Sequence, residues 1–364
     1  MDPYFAAALR LRWNAAGHPI HSRNHPGSGN SAGRPHALRL TQEENVRKAT
    51  YEGKTAYSEF MEQAQKLFLI PGLKQVLTPQ GIAVCPTTGR TFISSYCVED
   101  IPSVVCVTEA ATHELVAEYH LYNEDGSPMC GHVGGVAVTQ THMYVSNTLD
   151  SDGSYSIAAI PLAELPTEGK HNITLKEIIP MAVSPSMMNF SGGYLWVGNF
   201  YHPKADYVLS PNMEYTTAAA DGSEYGCYIL GFDMTQGHER LLTESGYPMP
   251  DVILAAPDRI QGLTLTEGKA VLSQSYGRAN DATLFTYGLE LNEAPDLELM
   301  LNGIAVPAFL LDDNRLHQKL NAIPMTEGLA TTSTGSVLVL FESGAIRYED
   351  GKHRTSYVWE LTVK

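Results

Sequence analysis

The sequence predicts an all-β fold. It is a β-propeller of five four-stranded blades, with six blades as the alternative, preceded by an N-terminal tail and helix. Three observations carry this reading. A short phrase of glycine followed by a hydrophobic–small–hydrophobic run returns along the chain from about residue 75, and each copy is answered by a second apolar run beyond a polar turn. More strand-like runs follow each pair, so every unit offers four strands within ~40–70 residues, the sequence form of a propeller blade. The composition agrees: 31 Gly and 21 Pro against only 18% charged residues suit short strands and tight turns better than long surface helices.

Residues 1–40 hold five Arg, one Asp and no Lys or Glu, amid Gly, Pro, Ser, Asn and His. They read as a flexible tail. The opening "MDPYFAAALRLRWN" has no continuous apolar segment behind a basic one, so no secretory signal is read and a cytoplasmic protein is expected. Residues 41–68 read as helix, with Thr41 and Glu44 in capping-box spacing. The segment 41–70 is assigned to this helix and a ring-closing strand, and 71–364 to the propeller.

The five copies are "QGIAVCPTTGRTFISSY" from Gln80, "GGVAVTQTHMYVSN" from Gly134, "SMMNFSGGYLWVGNF" from Ser186, "QGLTLTEGKAVLSQSYG" from Gln261 and "EGLATTSTGSVLVLFES" from Glu327. Their outer strands are read from "SVVCVTEAATHELVAEYHL", then "SYSIAAIPLAEL" with "ITLKEIIPM", then "GCYILGFDM" with "ERLLT", then "ATLFTYGLEL" with "LELML". The fifth unit ends at "TSYVWELTVK" without a fourth strand, and "KLFLIPGL", before the first unit, is read as supplying it. The "GIAV…TFIS" and "GVAV…MYVSN" phrases, over roughly residues 78–345, resemble those of the gluconolactonase (senescence-marker) and NHL-like propellers.

Several classes are set aside. A net charge of −16 repels phosphate backbones, which argues against a nucleic-acid partner. No run of apolar residues is long enough to span a bilayer. The five cysteines show no metal spacing; Cys97 and Cys106 are read either as a pair across a hairpin or as reduced thiols. No P-loop and no GxSxG elbow is present, and no organic cofactor is expected.

In a blade the innermost strand starts at one face of the ring and the second strand returns to it. Residues before the glycine phrases and residues ending the second strands therefore share one mouth of the channel. Gln80, His132, Gln261 and Glu327 stand at the first kind of position. Tyr96, Asn147, Asn199 (with His202 just after), Tyr276 (with Arg278) and Glu342 stand at the second. Polar groups converging on a concave mouth predict a small-molecule site.

Three chemistries fit such a set. Glu327, Asn147 and Asn199 supply oxygens for one divalent cation, Ca²⁺ or Mg²⁺, with His132 tilting the choice toward Zn²⁺ or Mn²⁺. The resembling lactonases use a comparable Glu/Asn/Asp set, although no matching channel Asp occurs here. This implies metal-assisted hydrolysis of a lactone or ester, the leading expectation. The second is metal-free lyase or isomerase chemistry. His132 is its proton acceptor, Tyr96 or Tyr276 the donor, Arg278 the holder of a carboxylate, and Glu342 an orienting group. Gln80, Tyr96, His202, Gln261 and Glu342 are read as substrate-binding, and His132, Glu327, Tyr276 and Arg278 as catalytic. Glycoside hydrolysis, with Glu327 and Glu342 flanking the bond, ranks below both. A non-catalytic ligand-binding propeller is the remaining alternative. Residues 201–224 are read as a lid over the mouth.

Overall fold

The computed structural model describes residues 40–45, 51–97, 101–147 and 154–364. The tail reading for residues 1–39 lies outside them. From Thr41 onward the chain forms one compact unit, and its strands build five blades. Blade 1 runs outward through Leu77–Val84, Thr91–Cys97, Val104–Thr108 and Leu115–Asn123. Blade 2 is Val136–Val138, His142–Asn147, Tyr155–Pro161 and Glu177–Met181. Blade 3 is Met187–Ser191, Tyr194–Gly198, Cys227–Asp233 and Val252–Ala256. Blade 4 is Ile260–Thr266, Lys269–Gln274, Ala282–Gly288 and Leu316–Ala322. Blade 5 is Thr326–Thr331, Val337–Phe341 and Tyr357–Leu361, closed by Ala64–Leu69 from the start of the chain. That last strand pairs antiparallel with Tyr357–Leu361, so the expected ring closure is present.

Three outer strands depart from expectation. "LELML" does not complete blade 4. Leu297–Leu301 turns back through Asn302 and Gly303, both at positive φ (49° and 74°), into Ile304–Leu310. Asn-Gly in this conformation is the tight hairpin turn that matches strand twist. The hairpin then docks parallel onto Val252–Ala256 and widens blade 3 to six strands. In "ITLKEIIPM", Glu177–Met181 does join blade 2, but the preceding Gly169–Leu175 pairs parallel with Leu115–Asn123 of blade 1. "ERLLT" is a short 3₁₀ turn, His238–Leu241; Leu241 is buried and Leu242 is half exposed at 49%, so the run has only one apolar anchor. The helix read over 41–68 narrows to Ser58–Gln63, because Ala64–Leu69 is captured as a strand and Thr41–Asn45 has no regular structure. Residues 46–50 lie outside the described set.

The apolar residues alternate so that each blade buries both faces. Five core clusters result, one at each seam between successive blades. The helix adds Phe60 to the seam of blades 4 and 5, against Phe341 and Trp359. Trp196 packs in the seam of blades 3 and 4 and donates its Nε1–H to the Ser191 carbonyl (3.1 Å), so it is a core residue and not a stacking surface. None of the five cysteines forms a disulfide; Cys106 faces Ile93 and Cys97 faces Leu77, so the hairpin pairing does not form.

Near the axis the innermost strands meet backbone to backbone. A Cβ on Gly328 would stand 2.8 Å from the Ile82 nitrogen and 3.1 Å from the Gly81 Cα, and one on Gly81 would stand 2.6 Å from the Val136 nitrogen. The repeated glycine is therefore a closure requirement: any side chain there would push blades apart.

Candidate functional site

The same glycines sit at a repeated irregularity that aims side chains at the mouth. In blade 1, Pro79 pairs with Ser95 and Gly81 with Ser94, leaving Gln80 as an extra residue. In blade 4, Gln261 is extra between Ile260 and Gly262. In blade 5, the register shifts between Thr326 and Leu329, at Glu327 and Gly328. These are β-bulges, which bend a strand and redirect a side chain. Blade 2 has Gly134 at the equivalent place. His132 thus belongs to the loop entering that blade, two residues earlier than the repeat implies.

The entering loops are held in unusual backbone. Val133, Arg259 and Met325 lie just ahead of the inner strands of blades 2, 4 and 5, with φ of 42°, 60° and 67°. Left-handed backbone costs a non-glycine residue ~1–3 kcal/mol, and most for a β-branched one such as Val133. Buried hydroxyls tie these loops down. Ser94 Oγ accepts from the Gly81 N–H (3.0 Å) and donates to the Val133 carbonyl of the next blade (2.9 Å). Ser273 Oγ donates to the Glu327 carbonyl of blade 5 (2.6 Å).

Two carboxyl groups lie at the floor of the mouth. Glu327 and Glu342 are 3% and 6% exposed and lie at the adjoining ends of paired strands, close enough that the charge of Glu342 acts on Glu327. Burial raises both above the usual carboxylate range. Glu327 is pushed further by the charge of Glu342, while Tyr348, Gln80 and Arg347 hold Glu342 to about 7. Gln80 Nε2 donates to Glu342 Oε2 (2.9 Å) and to the Pro79 carbonyl (2.8 Å), so both its N–H groups are taken. Gln80 orients Glu342; its donors are not left for a ligand.

Above the pair stands an aromatic–guanidinium stack. Arg347 donates to the Tyr96 hydroxyl, and its guanidinium lies 5.5 Å from the Tyr96 ring centroid and 5.2 Å from that of Tyr348. Arg278 stands 4.9 Å from the Tyr348 ring and forms an ion pair with Asp350. Arg278 thus fastens the segment after Glu342 and is already charge-paired. The His132 ring stacks on Tyr96, 4.3 Å between centroids. His132 is exposed yet closely surrounded by protein, as on the wall of a funnel. Water screens it in part. Its surroundings, and then the Arg347 charge, hold its pKa below that of an ordinary histidine, so the ring is neutral at pH 7. Burial raises the Tyr96 hydroxyl well above its ordinary value, and Glu342 adds to the effect, so it stays protonated.

The lid segment contributes at its start. Phe200 and Tyr207 meet edge to face at 5.0 Å, and His202 meets Tyr276 at 4.6 Å. Burial raises the Tyr207 pKa, with Tyr276 and Tyr96 adding to it, which places this segment beside the same stack. His202 Nδ1 lies 3.7 Å from Asp258. Gln261 is half-buried, and its amide makes no hydrogen bond among the described residues.

The structure therefore joins Glu327, Glu342, Gln80, Tyr96 and His132 in one contiguous cluster, with Tyr276, Arg278 and His202 around it. Asn147 and Asn199 serve their own blades. Asn147 Nδ2 donates to Ser156 Oγ (3.1 Å). Asn199 donates to the Gly226 carbonyl (3.0 Å) and accepts from the Tyr228 N–H (2.7 Å), clamping the two ends of the lid segment. The amide oxygen of Asn199 is thus engaged within its own blade. Among the described residues no three His, Cys, Asp or Glu side chains are placed to hold a metal.

Arg347 and Tyr348 escaped the sequence reading, which stopped at Glu342. They ride on a 3₁₀ turn, Ile346–Tyr348, in the connection to the third strand of blade 5. Buried Arg354 holds this connection by donating to the carbonyls of Ser343, Gly344 and Ala345. The visible signal was the length of "ESGAIRYEDGKHRTS" between two short strands.

No protein-family model matches the chain, and no curated protein sequence matches it. Solved structures are similar at low identity. A GH43_1 enzyme from Xanthomonas citri is 12% identical, covering 85% of this chain and 94% of that one, with a TM-score of 0.41. A glucose dehydrogenase is 10% identical over 83% and 99%, at 0.39. Hydrazine synthase from Kuenenia stuttgartiensis is 14% identical over 72% of this chain and 55% of that one, at 0.34, so the chain spans about half of that protein. Likeness at this level carries no argument about chemistry, and the five blades rest on the sheets described above. No helix among the described residues is long and apolar enough to cross a membrane.

Proposed function

We propose that this protein is a small-molecule enzyme working by metal-free acid–base chemistry at the propeller mouth, in the manner of a lyase or isomerase, with His132 as the proton acceptor. The observation that supports this most is the state of His132: exposed, neutral, and held by stacking on a Tyr96 that Arg347 anchors. A general base must be in its unprotonated form and within reach of substrate, and this ring meets both conditions. Tyr96 stays protonated as the matching donor, and the Glu327–Glu342 pair behind it is a proton reservoir.

Metal-assisted lactone or ester hydrolysis is less well supported, because Asn199 is taken up in other hydrogen bonds. Glycoside hydrolysis is less well supported for a geometric reason. Carboxyls that flank a glycosidic bond must both face the bound sugar, whereas Glu327 and Glu342 are 3% and 6% exposed.

The test is a turnover screen of small hydroxy acids, keto acids, lactones and esters with the wild type and His132→Asn, each with and without EDTA. The expected result is turnover that survives chelation and falls ~10²–10⁴-fold in the variant. Turnover that EDTA abolishes, or that His132→Asn leaves unchanged, contradicts the proposal.

A further inference from the structure

Arg347 stands out in a chain of net charge −16. Among the described residues no carboxylate oxygen lies within ion-pair distance of it; its one hydrogen bond goes to the Tyr96 hydroxyl. Every other arginine with a mouth-facing role is engaged: Arg278 pairs with Asp350 and Arg259 with Asp258. A guanidinium stacked on aromatic rings keeps its N–H edges available, which is the geometry that receives a carboxylate side-on. The unbonded amide of Gln261 stands at another bulge of the same mouth.

Beside Arg347 lie two buried carboxyls at the adjoining ends of paired strands, Glu327 and Glu342, and the charge of Glu342 opposes ionisation of Glu327. The groups facing this pair are Gln80 from blade 1, Tyr96 from the next strand, and Arg347 and Tyr348 from the 3₁₀ turn, with His132 behind Tyr96. Arg347 is the only charged side chain among them, because His132 is neutral. An anion on Arg347 cancels the field that favours ionisation of the pair and brings a new negative charge close to it.

We infer that the mouth binds a small carboxylate and takes up a proton as it does so. The ligand pairs with Arg347, and the second carboxyl of the Glu327–Glu342 pair is protonated from solvent. This deepens the proposed function by naming the class of its substrate, and it rests on that reading only for the location of the site. No covalent bond is made or broken in this step, and the proton and the anion enter together, so the site's net charge is unchanged by binding. A negatively charged protein can in this way admit an anion without accumulating charge at its centre.

The test uses the full-length protein with benzoate and acetate as probes, benzoate because Tyr96, Tyr207 and Tyr276 line the site. Binding is followed by the ¹³C-carboxyl signal of the labelled probe up to about 20 mM, a range in which a millimolar Kd registers. Calorimetry in buffers of different ionisation enthalpy counts the protons. The expected result is net proton uptake near pH 7 and an affinity that falls up to about tenfold per pH unit above it. Arg347→Gln should weaken binding at least about tenfold, with Arg347→Lys intermediate. Glu342→Gln, which mimics the protonated form, should bind with little pH dependence. Melting curves confirm that each variant folds; if Arg347→Gln does not, the proton count and Glu342→Gln decide the matter alone.

Absence of probe binding to the wild type at any pH between about 5.5 and 8.5 overturns the inference. So does binding without proton uptake, or binding that a folded Arg347→Gln leaves intact. His132→Asn separates the two proposals. It should bind benzoate within about twofold of wild type even though turnover is lost, so carboxylate binding without His132-dependent turnover sinks only the enzymatic reading.

Discussion

The carboxyl groups of Glu327 and Glu342 are buried together at the centre of the propeller, one from the bulge of an inner strand and the other from the end of its neighbour, and the charge of Glu342 acts on Glu327. Their folded-state pKa values lie above the ordinary carboxylate value. The folded protein therefore keeps protons that the unfolded chain gives up. The pair's contribution to stability is fully present below about pH 4.5 and is lost as pH rises through about 7.

Glu342→Gln removes the share of this dependence that Glu342 carries. Its melting temperature relative to wild type should improve between pH 5 and pH 8, by a free-energy change of order 2 kcal/mol. Parallel thermal melts at the two pH values check it. A constant difference between variant and wild type would mean that the pair is not titrating in this window.

Gly328 lies directly against the backbone of Gly81 and Ile82. Backbone atoms of the neighbouring blade leave no room for a methyl group, and they cannot rotate away as a side chain can. Gly328→Ala should cost ~1–3 kcal/mol, read by urea denaturation. A neutral effect would mean that the inner strands are further apart than described.

Ser273 ties blade 4 to blade 5 through the Glu327 carbonyl. Ser273→Ala removes a buried donor and should destabilise the protein by ~1 kcal/mol. Because that carbonyl belongs to the strained segment after Met325, any ligand binding or activity should fall by more than the stability loss explains. Equal losses in both would assign the hydroxyl a purely structural role.

Tyr96 connects the neutral His132 to Arg347. Tyr96→Phe keeps the ring stack but removes the acceptor of the arginine's hydrogen bond, worth ~1.5–3 kcal/mol when one partner is charged. Loss of that anchor should lower activity chiefly through kcat if the hydroxyl is the proton donor, and chiefly through KM if it only positions Arg347. Steady-state kinetics on any substrate found distinguishes the two.

The propeller was readable because its repeat is enforced near the axis. Gly81, Gly135, Gly262 and Gly328 recur where a Cβ would meet the next blade's backbone. The outer strands are under no such constraint. "LELML" was assigned to its own blade, although the Asn302–Gly303 turn behind it marks a separate hairpin free to dock elsewhere. Gln80, Glu327 and Glu342 were placed at the mouth because position within the repeat decides where they point. Asn147 and Asn199 occupy equivalent positions, yet local hydrogen bonds to Ser156, Gly226 and Tyr228 absorb them. Strand phase says where a side chain begins, not which neighbour claims it. Arg347 and Tyr348 lie in a connection outside the repeat, so periodicity carries no information about them.

The most direct measurement is a pH titration by NMR of protein labelled at the glutamate side-chain carboxyl carbons, wild type beside Glu327→Gln. Two resonances are predicted to titrate above the ordinary carboxylate range in the wild type, Glu342 near 7 and Glu327 higher, and the variant is predicted to keep only the Glu342 transition. Wild-type protein in which every glutamate is ionised by about pH 5.5 would contradict a protonated carboxyl at the mouth, and with it the acid–base site described here.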